Sequence, residues 1–179
     1  MIEYRRMNRD EVYRIRELDR SEHVTAGYAV RDGQLRAEAV DWRVPNWNPQ
    51  GDGPHSMARR VAATARVLEG GGVAVGAFDG GTLVGCATLR FRLTQTMAQL
   101  AGLCVSRDYR RQGIATRLVT EVLRLARESG ASEIYVSATP SESAVGFYQS
   151  LGFAPAPKSR IHPELYAEEP EDIHMTRCL

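Results

Sequence analysis

Hydrophobic positions divide this chain into short stretches typical of strands and longer stretches typical of helices. Alternating or wholly apolar stretches predict strands at residues 2–7, 73–78, 82–91, 98–106, 133–138, 153–156 and 172–179. Apolar residues at helical spacing predict helices at residues 8–18, 55–68, 113–128 and 141–151. Strands before and after two central helices predict a mixed α/β sheet in a single domain over residues 1–179.

Turn-forming residues mark where several of these elements end. The pair Asp32-Gly33 predicts a tight hairpin over residues 28–39. Two further segments are expected to be loops, because prolines interrupt them and no apolar period runs through them. These are residues 41–55, which hold both tryptophans, and the acidic residues 156–171.

The chain of 179 residues is 43% hydrophobic and 25% charged, as in an ordinary globular domain. A formal net charge of +1 gives no reason to expect binding to nucleic acid or to a membrane surface. The three cysteines do not follow the spacing of a zinc site, so no metal is expected. No apolar signal region opens the sequence and no apolar run approaches the ~20 residues of a transmembrane helix, so a cytoplasmic location is expected.

Residues 100–119 read LAGLCVSRDYRRQGIATRLV and contain the strongest functional signal in the chain. An apolar strand runs into an arginine-rich loop, and the loop opens directly into a helix. The unpaired N–H groups and partial positive charge of a helix N-terminus favour a phosphate group. Gly113 lets the backbone approach a ligand closely, and Arg110 and Arg111 add positive charge. The pattern predicts a pyrophosphate site.

The spacing distinguishes this loop from other phosphate loops. No Lys-Ser or Lys-Thr pair follows Gly113, as a Walker A loop requires, and the three glycines of a dinucleotide-binding fingerprint are absent. The loop instead follows the pattern Arg-x-x-Gly-x-Ala and resembles the acetyl-CoA pyrophosphate loop of the GNAT superfamily of N-acetyltransferases. The resemblance implies that acetyl-CoA is bound by six residues of this loop: Arg110, Arg111, Gln112, Gly113, Ile114 and Ala115.

A second segment carries the same resemblance. Residues 141–153 read SESAVGFYQSLGF, where GNAT enzymes often have Asn-x-x-Ala, a tyrosine four residues later and a Leu-Gly-Phe turn. Ala144 and Tyr148 fit this pattern, whereas Ser141 stands where the family often has asparagine. A serine can still cap the helix and reach a ligand oxygen, so Ser141 is included among the expected cofactor contacts.

The GNAT resemblance implies both a fold and a reaction. The fold is a mixed central sheet with helices on both faces, in which two parallel central strands splay apart. By motif position those strands are residues 98–106 and 133–138, so Leu103, Cys104 and Val105 are the expected main-chain contacts of acetyl-CoA. One of their N–H groups would polarise the thioester carbonyl while the acetyl group passes to an amine.

Tyr148 is the candidate general acid, because a phenol with a pKa of about 10 suits protonation of the departing thiolate. The alternative is a structural tyrosine that packs on the helix face. The general base stays open, because Val136 occupies the position of a glutamate that some family members use and Glu133 is expected to be solvated. The other candidates are Glu22, His23, His174 and a water chain.

Cys104 would be the nucleophile of a ping-pong mechanism, but no activating partner is evident in the sequence. The acceptor amine is expected to lie among aromatic and acidic segments, with Trp42, Trp47 and Glu171 as candidate contacts. A small cationic amine is the first hypothesis, and a peptide or protein amine is the second. A non-catalytic domain that senses acetyl-CoA is a further alternative, and residues 41–55 could instead serve a homodimer.

Overall fold

A computed structural model describes residues 1–179 of the chain. The strands are β1 (Glu3–Arg6), β2 (Glu22–Arg31), β3 (Gln34–Val44), β4 (Val73–Asp79), β5 (Thr82–Arg90), β6 (Met97–Val105), β7 (Glu133–Ala138), β8 (Ala154–Pro155) and β9 (Ile173–Cys178). The α-helices are α1 (Met57–Glu69), α2 (Ile114–Glu128), α3 (Glu142–Ser150) and α4 (Pro163–Glu168). Three 3₁₀ helices cover Arg9–Glu17, Arg107–Tyr109 and Lys158–Arg160.

Seven of the strands form one sheet in the order β1-β4-β5-β6-β7-β9-β8. The pair β6–β7 is parallel, and every other neighbouring pair in this sheet is antiparallel. Strands β2 and β3 form a separate hairpin that turns at Asp32 and Gly33, as the sequence predicts. The predicted mixed α/β sheet is therefore confirmed.

The two parallel central strands separate after a short region of contact. β6 pairs with β7 only from Met97 to Gln99, although β6 continues to Val105 and β7 to Ala138. Beyond this region β6 stays paired with β5, and β7 stays paired with β9. A bulge on β6 at Ala101 accompanies the separation. The predicted splay of the central strands is confirmed, and the gap between them is called the wedge below.

Helices cover both faces of the sheet, also as predicted. α2 buries an apolar stripe that includes Leu118, Val119 and Val122 in the larger hydrophobic core. α1 and the first 3₁₀ helix cover the opposite face, where Met57 and Leu68 join a second core. Alternate residues of β4 and β5 point into the two cores, because side chains alternate across a strand. The α1 face and the α2 face are thus opposite sides of the same sheet.

The prediction that residues 41–55 form a loop was wrong for residues 41–44. β3 continues to Val44, because Trp42 pairs with Val24 and Arg43 pairs with His23 across the hairpin. The partner strand supplies the hydrogen bonds, so the local composition gives no sign of this extension. The strand ends at Val44, directly before Pro45, which cannot donate a ladder hydrogen bond.

The prediction that residues 156–171 form one loop was also wrong, because α4 lies within them. This helix begins at Pro163, a favourable first helical residue, and buries Leu165 in a small apolar cluster. Near the N-terminus, the predicted helix at residues 8–18 is a 3₁₀ helix, in which the Glu11 carboxylate accepts a hydrogen bond from the Asn8 N–H at 3.0 Å. None of the helices is both long enough and apolar enough to span a membrane.

Candidate active site

The loop between β6 and α2 has the backbone geometry of an anion site. Arg111 and Gly113 both adopt left-handed backbone angles, with φ values of 59° and 78°. No backbone oxygen of the chain accepts a hydrogen bond from the N–H groups of Arg111, Gln112 or Gly113. A Cβ built on Gly113 would meet no atom within 4 Å, so space is open in front of the loop. Free N–H donors therefore lie at the N-terminus of α2, where the helix dipole favours an anion.

Arg110 braces this loop against the end of β6. Its Nε donates to the Val105 carbonyl oxygen at 3.1 Å, and its Nη2 donates to the Arg20 carbonyl oxygen at 2.9 Å. Its Nη1 also lies 3.4 Å from the Glu22 carboxylate. The guanidinium group is thus committed to the chain itself, and direct contact between Arg110 and a phosphate stays a prediction.

Of the other predicted cofactor contacts in this loop, two have side chains that face solvent and two have side chains that face the core. Arg111 and Gln112 are exposed, and Gln112 donates to the Asp108 carbonyl oxygen at 3.1 Å. Ile114 is buried and Ala115 packs against the larger core. Ile114 and Ala115 can therefore offer a cofactor only their backbone N–H groups, while Arg111 offers a solvent-facing positive charge.

Only alternate residues of β6 turn their backbone groups toward the wedge. The Ser106 N–H donates to the carbonyl oxygen of Val84 on β5 at 2.9 Å. Two residues earlier, Cys104 of β6 lies opposite Cys86 of β5. Hydrogen-bonded residues alternate along an antiparallel ladder, so the Cys104 backbone pairs with β5 while Leu103 and Val105 face the wedge. This register narrows the predicted main-chain contacts of acetyl-CoA to Leu103 and Val105.

The side chain of Cys104 packs against the core beneath α1. Burial raises the pKa of the Cys104 thiol to about 11, and the guanidinium groups of Arg60 and Arg110 offset only part of this effect. The thiol is therefore protonated at neutral pH, and a thiol is a much weaker nucleophile than a thiolate. The structure thus offers no activated cysteine for a ping-pong mechanism.

Tyr148 projects from α3 into the larger core. Its ring packs edge-on against Phe147 and Phe153, with ring centroids 5.4 and 5.5 Å apart. Burial raises the pKa of the Tyr148 hydroxyl, an effect that Arg60 partly offsets and Asp172 reinforces. The hydroxyl is therefore protonated at neutral pH, as a general acid must be, but the raised pKa also makes it a weaker proton donor than a free phenol.

Ser141 forms the N-cap of α3, as the sequence predicts. Its hydroxyl accepts a hydrogen bond from the Ala144 N–H at 3.2 Å and lies 3.0 Å from the Ser143 hydroxyl. The residue is 2% exposed, and Gly27 of β2 forms a backbone bridge to it. The hydroxyl is thus enclosed by the hairpin and the helix, and its contact with acetyl-CoA stays a prediction.

Two of the candidate bases lie in ion pairs on the hairpin. Glu22 pairs with Arg110, and His23 Nε2 lies 2.5 Å from the Asp41 carboxylate. The His23 and Asp41 side chains are 46% and 78% exposed, so this pair is a surface interaction. Both side chains are therefore engaged with charged partners, and a role for either in deprotonating the amine stays a prediction.

His174 and Glu133 also have partners within the chain. His174 Nδ1 accepts from the Tyr135 hydroxyl at 2.7 Å, and His174 Nε2 donates to the Glu169 carbonyl oxygen at 3.1 Å. Burial lowers the pKa of His174, so the neutral ring with both nitrogens occupied is the favoured form. Glu133 is 9% exposed and forms an ion pair with Arg160. The expectation that Glu133 is solvated was wrong, because the 3₁₀ helix after β8 returns to cover it.

Asp172 is a titratable group that the sequence did not single out as a base. It immediately precedes β9 and follows directly after the acidic residues 156–171, where the amine is expected to lie. Burial raises the pKa of Asp172 to about 7, and the charge of Glu169 adds to the effect. Its own charge raises the pKa of Tyr148, so the two groups are electrostatically coupled. The run of carboxylates was visible in the sequence, but the partial burial of this one was not.

The predicted acceptor contacts lie in different surroundings. Trp47 is buried, with the guanidinium carbons of Arg20 and Arg60 5.4 and 5.9 Å from its ring centroid. Trp42 is 39% exposed and its ring lies against the backbone of β2, whereas Glu171 is exposed just before β9. The contacts of these residues with an amine stay predictions. Sequence reasoning missed Arg20 and Arg60, because they approach Trp47 from separate segments.

Comparison with known proteins decides the family. A model of the acetyltransferase (GNAT) family matches residues 36–153, a range that contains the wedge, the loop before α2 and Tyr148. The chain belongs to the GNAT family. This assignment confirms the resemblance that the two sequence motifs carry. It also connects the open loop with acetyl-CoA, the acetyl donor of GNAT enzymes.

Curated GNAT relatives match over part of the chain. Human N-acetyltransferase 8B is 42% identical over 71 residues, which are 39% of this chain and 31% of the relative. N-alpha-acetyltransferase 30 of Schizosaccharomyces pombe is 38% identical over 63 residues, which are 35% of this chain and 42% of the relative. The matched stretch thus spans about a third of the human relative's length.

Solved GNAT structures match over nearly the whole chain. Nourseothricin acetyltransferase superposes with a TM-score of 0.73 at 18% identity, over 99% of this chain and 98% of that one. A Bacillus anthracis acetyltransferase in complex with acetyl coenzyme A gives a TM-score of 0.73 at 16% identity, over 100% of this chain and 99% of that one. At these identities the likeness shows the fold, and the predicted GNAT fold is confirmed.

Proposed function

We propose that this protein transfers the acetyl group of acetyl-CoA to a primary amine of a small molecule, by direct attack within a ternary complex. One observation carries the proposal: β6 leads from the wedge, through the short 3₁₀ helix at Arg107–Tyr109, into the open loop before α2. The open edge of the strand and the free N–H donors of the loop therefore lie along one continuous path. This path suits a cofactor whose pyrophosphate and reactive thioester lie at opposite ends of an extended arm.

On this proposal the pyrophosphate is bound by the N–H groups of residues 111–113 and by the charge of Arg111. The pantetheine arm lies along the open edge of β6, where Leu103 and Val105 offer backbone hydrogen bonds. The space in front of Gly113 leaves room for phosphate oxygens to approach the backbone. The helix dipole of α2 stabilises their negative charge.

The reaction would then use groups on both sides of the wedge. The amine nitrogen attacks the thioester carbonyl carbon, and a C–N bond forms as the carbonyl oxygen gains negative charge. An N–H group of Leu103 or Val105 stabilises this oxygen. When the C–S bond breaks, the departing sulfur takes a proton from the Tyr148 hydroxyl. Asp172, with a pKa of about 7, is the candidate acceptor for the proton that the ammonium must lose.

The acceptor would approach from the side opposite the cofactor. Trp42, Trp47 and Glu171 are the proposed contacts there, because aromatic rings and carboxylates favour a cationic amine. The full-length structural match to nourseothricin acetyltransferase favours a small-molecule acceptor. The sequence match to N-alpha-acetyltransferase 30 favours the second candidate, a peptide N-terminus.

An assay of thiol release from acetyl-CoA would test the proposal directly. The purified protein is incubated with acetyl-CoA and a panel of small primary amines and short peptides, and acetylated products are identified by mass spectrometry. We expect release that depends on a small amine. Release with peptides alone would support the second candidate. Binding of acetyl-CoA without release from any acceptor would instead support a sensing domain and contradict catalysis.

A further inference from the structure

Two arginines on the α1 face of the sheet lie beside the wedge without an acidic partner. Arg20 follows the first 3₁₀ helix, Arg60 lies on α1, and both guanidinium groups lie over Trp47. Both also lie close enough to Cys104 to influence the pKa of its thiol. None of the ion pairs in the structure includes Arg20 or Arg60.

The Arg60 guanidinium lies directly against the backbone of β6. A Cβ built on Gly102 would lie 2.9 Å from Arg60 Cζ, so only glycine leaves room for the guanidinium at this point. Arg60 Nε is buried without a hydrogen-bond partner. Thr88, directly opposite Gly102 on β5, is buried as well. Unpaired buried polar groups are uncommon in folded proteins and call for an explanation.

Arg110, the neighbouring arginine, differs from Arg20 and Arg60 because it has an acidic partner. Arg110 also approaches Arg20, but it contacts Glu22 and two carbonyl oxygens. The Arg20 guanidinium donates only to the Pro45 carbonyl oxygen, and burial together with the charge of Arg60 lowers its pKa. Two close positive charges without a counter-charge are unfavourable. An anion between them would remove that repulsion.

We propose that Arg60, with Arg20 beside it, binds a carboxylate of the acceptor, so that the acceptor is a primary amine that also carries an anionic oxygen group. This inference rests on the proposed function and names its substrate class. The planar guanidinium group suits a carboxylate because it can donate two parallel hydrogen bonds. The cofactor phosphates have their own site at the N-terminus of α2, which packs on the other face of the sheet.

The position of Arg60 also suits the reaction. Its charge partly offsets the raised pKa of Tyr148, so the carboxylate site lies within electrostatic reach of the candidate general acid. A bound carboxylate would hold one end of the acceptor against the α1 face. The amine at its other end could then reach the thioester in the wedge. The acidic residues near Asp172 would attract the ammonium group and not the carboxylate.

Matched pairs of acceptors test the inference. Initial rates of thiol release are measured for L-phenylalanine against L-phenylalaninamide, β-alanine against β-alaninamide, and phosphoethanolamine against ethanolamine. We expect the carboxylate member to be preferred in the amino acid pairs. A preference confined to phosphoethanolamine would show a phosphate site and overturn the carboxylate assignment.

Variants of Arg60 then identify the residue responsible. Arg60→Met keeps the unbranched stem, removes the charge, and is expected to lower kcat/KM for the carboxylate acceptor about 10- to 150-fold, the usual effect of losing a charged hydrogen bond. The amide counterpart should change less than about threefold. Arg60→Lys should restore part of the loss, because it restores the charge without the fork. Arg59→Met, on the exposed side of α1, is the matched control and should change neither rate.

Gly102→Ala provides a second variant that keeps Arg60 in the sequence. Its methyl group would displace the guanidinium and should reproduce the selective loss, with thermal unfolding and acetyl-CoA affinity as checks of folding. Equal losses for the carboxylate and amide acceptors in folded Arg60 variants would overturn the inference alone. Absence of thiol release with every amine, in a protein that binds acetyl-CoA, would overturn the proposed function and this inference with it.

Discussion

The cofactor side and the acceptor side of the wedge are built in different ways. The cofactor side comes from one continuous stretch, in which the end of β6, the loop at residues 110–113 and the start of α2 follow one another. The proposed acceptor side combines Arg20, Trp47, Arg60 and Asp172 from four separate segments. A site made of consecutive residues can be recognised from a motif. A site made of distant residues becomes visible only when the chain is folded.

The two sides also differ in how their charges are balanced. Arg110 on the proposed cofactor side contacts Glu22 and two carbonyl oxygens, so its charge is already balanced within the chain. Arg20 and Arg60 on the acceptor side have no acidic partner. On the proposed function, cofactor binding would therefore depend mainly on backbone N–H groups, whereas acceptor recognition would depend on side-chain charge. Substitutions on the two sides should accordingly affect different steps.

The largest effect is expected from Gly113→Glu on the cofactor side. The carboxylate would oppose the anion at the N-terminus of α2, and a residue with a side chain is strained at a φ of 78°. We expect acetyl-CoA affinity, measured by calorimetry, to fall by more than about 100-fold. Gly130→Glu is the matched control, because it introduces the same charge and similar strain at the other end of α2, where φ is 86°. Unchanged acetyl-CoA affinity in a folded Gly113→Glu variant would contradict the proposed cofactor site.

Tyr148→Phe should affect chemistry and leave both binding sites intact. We expect kcat to fall roughly 10- to 1,000-fold, because one general acid is lost and solvent replaces it in part. The affinity for acetyl-CoA should stay within about twofold, because the ring packing against Phe147 and Phe153 is kept. Full activity in this variant would show that the tyrosine is structural and that water protonates the thiolate.

Asp172→Asn should change the pH dependence of stability. The pKa of Asp172 is raised from 3.8 to about 7, so the unfolded chain releases this proton at lower pH than the folded protein does. This group therefore makes the folded state progressively less stable as pH rises from about 4 to 7. Carboxylates with lowered pKa values, such as Glu11, contribute the opposite slope, so the difference in unfolding free energy between the two proteins is the informative quantity. The variant should gain stability relative to the unsubstituted protein over this pH range, and urea unfolding of both at several pH values would reveal it. Glu171→Gln removes an exposed neighbouring charge and serves as the control. If the stability of Asp172→Asn depends on pH as that of the unsubstituted protein does, the raised pKa of Asp172 is refuted.

The smallest effect is expected from Glu171→Gln on the acceptor side. This carboxylate is exposed, so its attraction for an ammonium group is screened by water and salt. We expect KM to rise less than about threefold for cationic acceptors and to stay constant for neutral ones. Glu164→Gln, an exposed position on α4, is the matched control. An equal change for both kinds of acceptor would remove Glu171 from the acceptor site.

The sequence predicts the sheet, the central helices and the cofactor loop well, because their signals are local. The apolar period of α2, the turn at Asp32-Gly33 and the loop pattern that begins at Arg110 can each be read without tertiary contacts. The extension of β3 to Val44 was missed because it depends on pairing with β2. Helix α4 was missed because its single buried residue, Leu165, packs on distant residues.

The candidate site shows the same division between local and distant information. The motif identifies Tyr148, but its pKa depends on burial in a core formed by α2, α3 and several strands. Glu133 could not be recognised as buried, because Arg160 reaches it from 27 residues further along the chain. Arg60 carried no signal at all, since one arginine on an amphipathic helix is usually a surface residue.

Initial rates over a grid of acetyl-CoA and acceptor concentrations test the central claim most directly. That claim is that both sides of the wedge are occupied at once and that the amine attacks the thioester itself. It predicts double-reciprocal lines that intersect, because both substrates must be bound before the thiol is released. Parallel lines, together with an acetyl group found on Cys104 by mass spectrometry, would show a ping-pong mechanism and contradict the account.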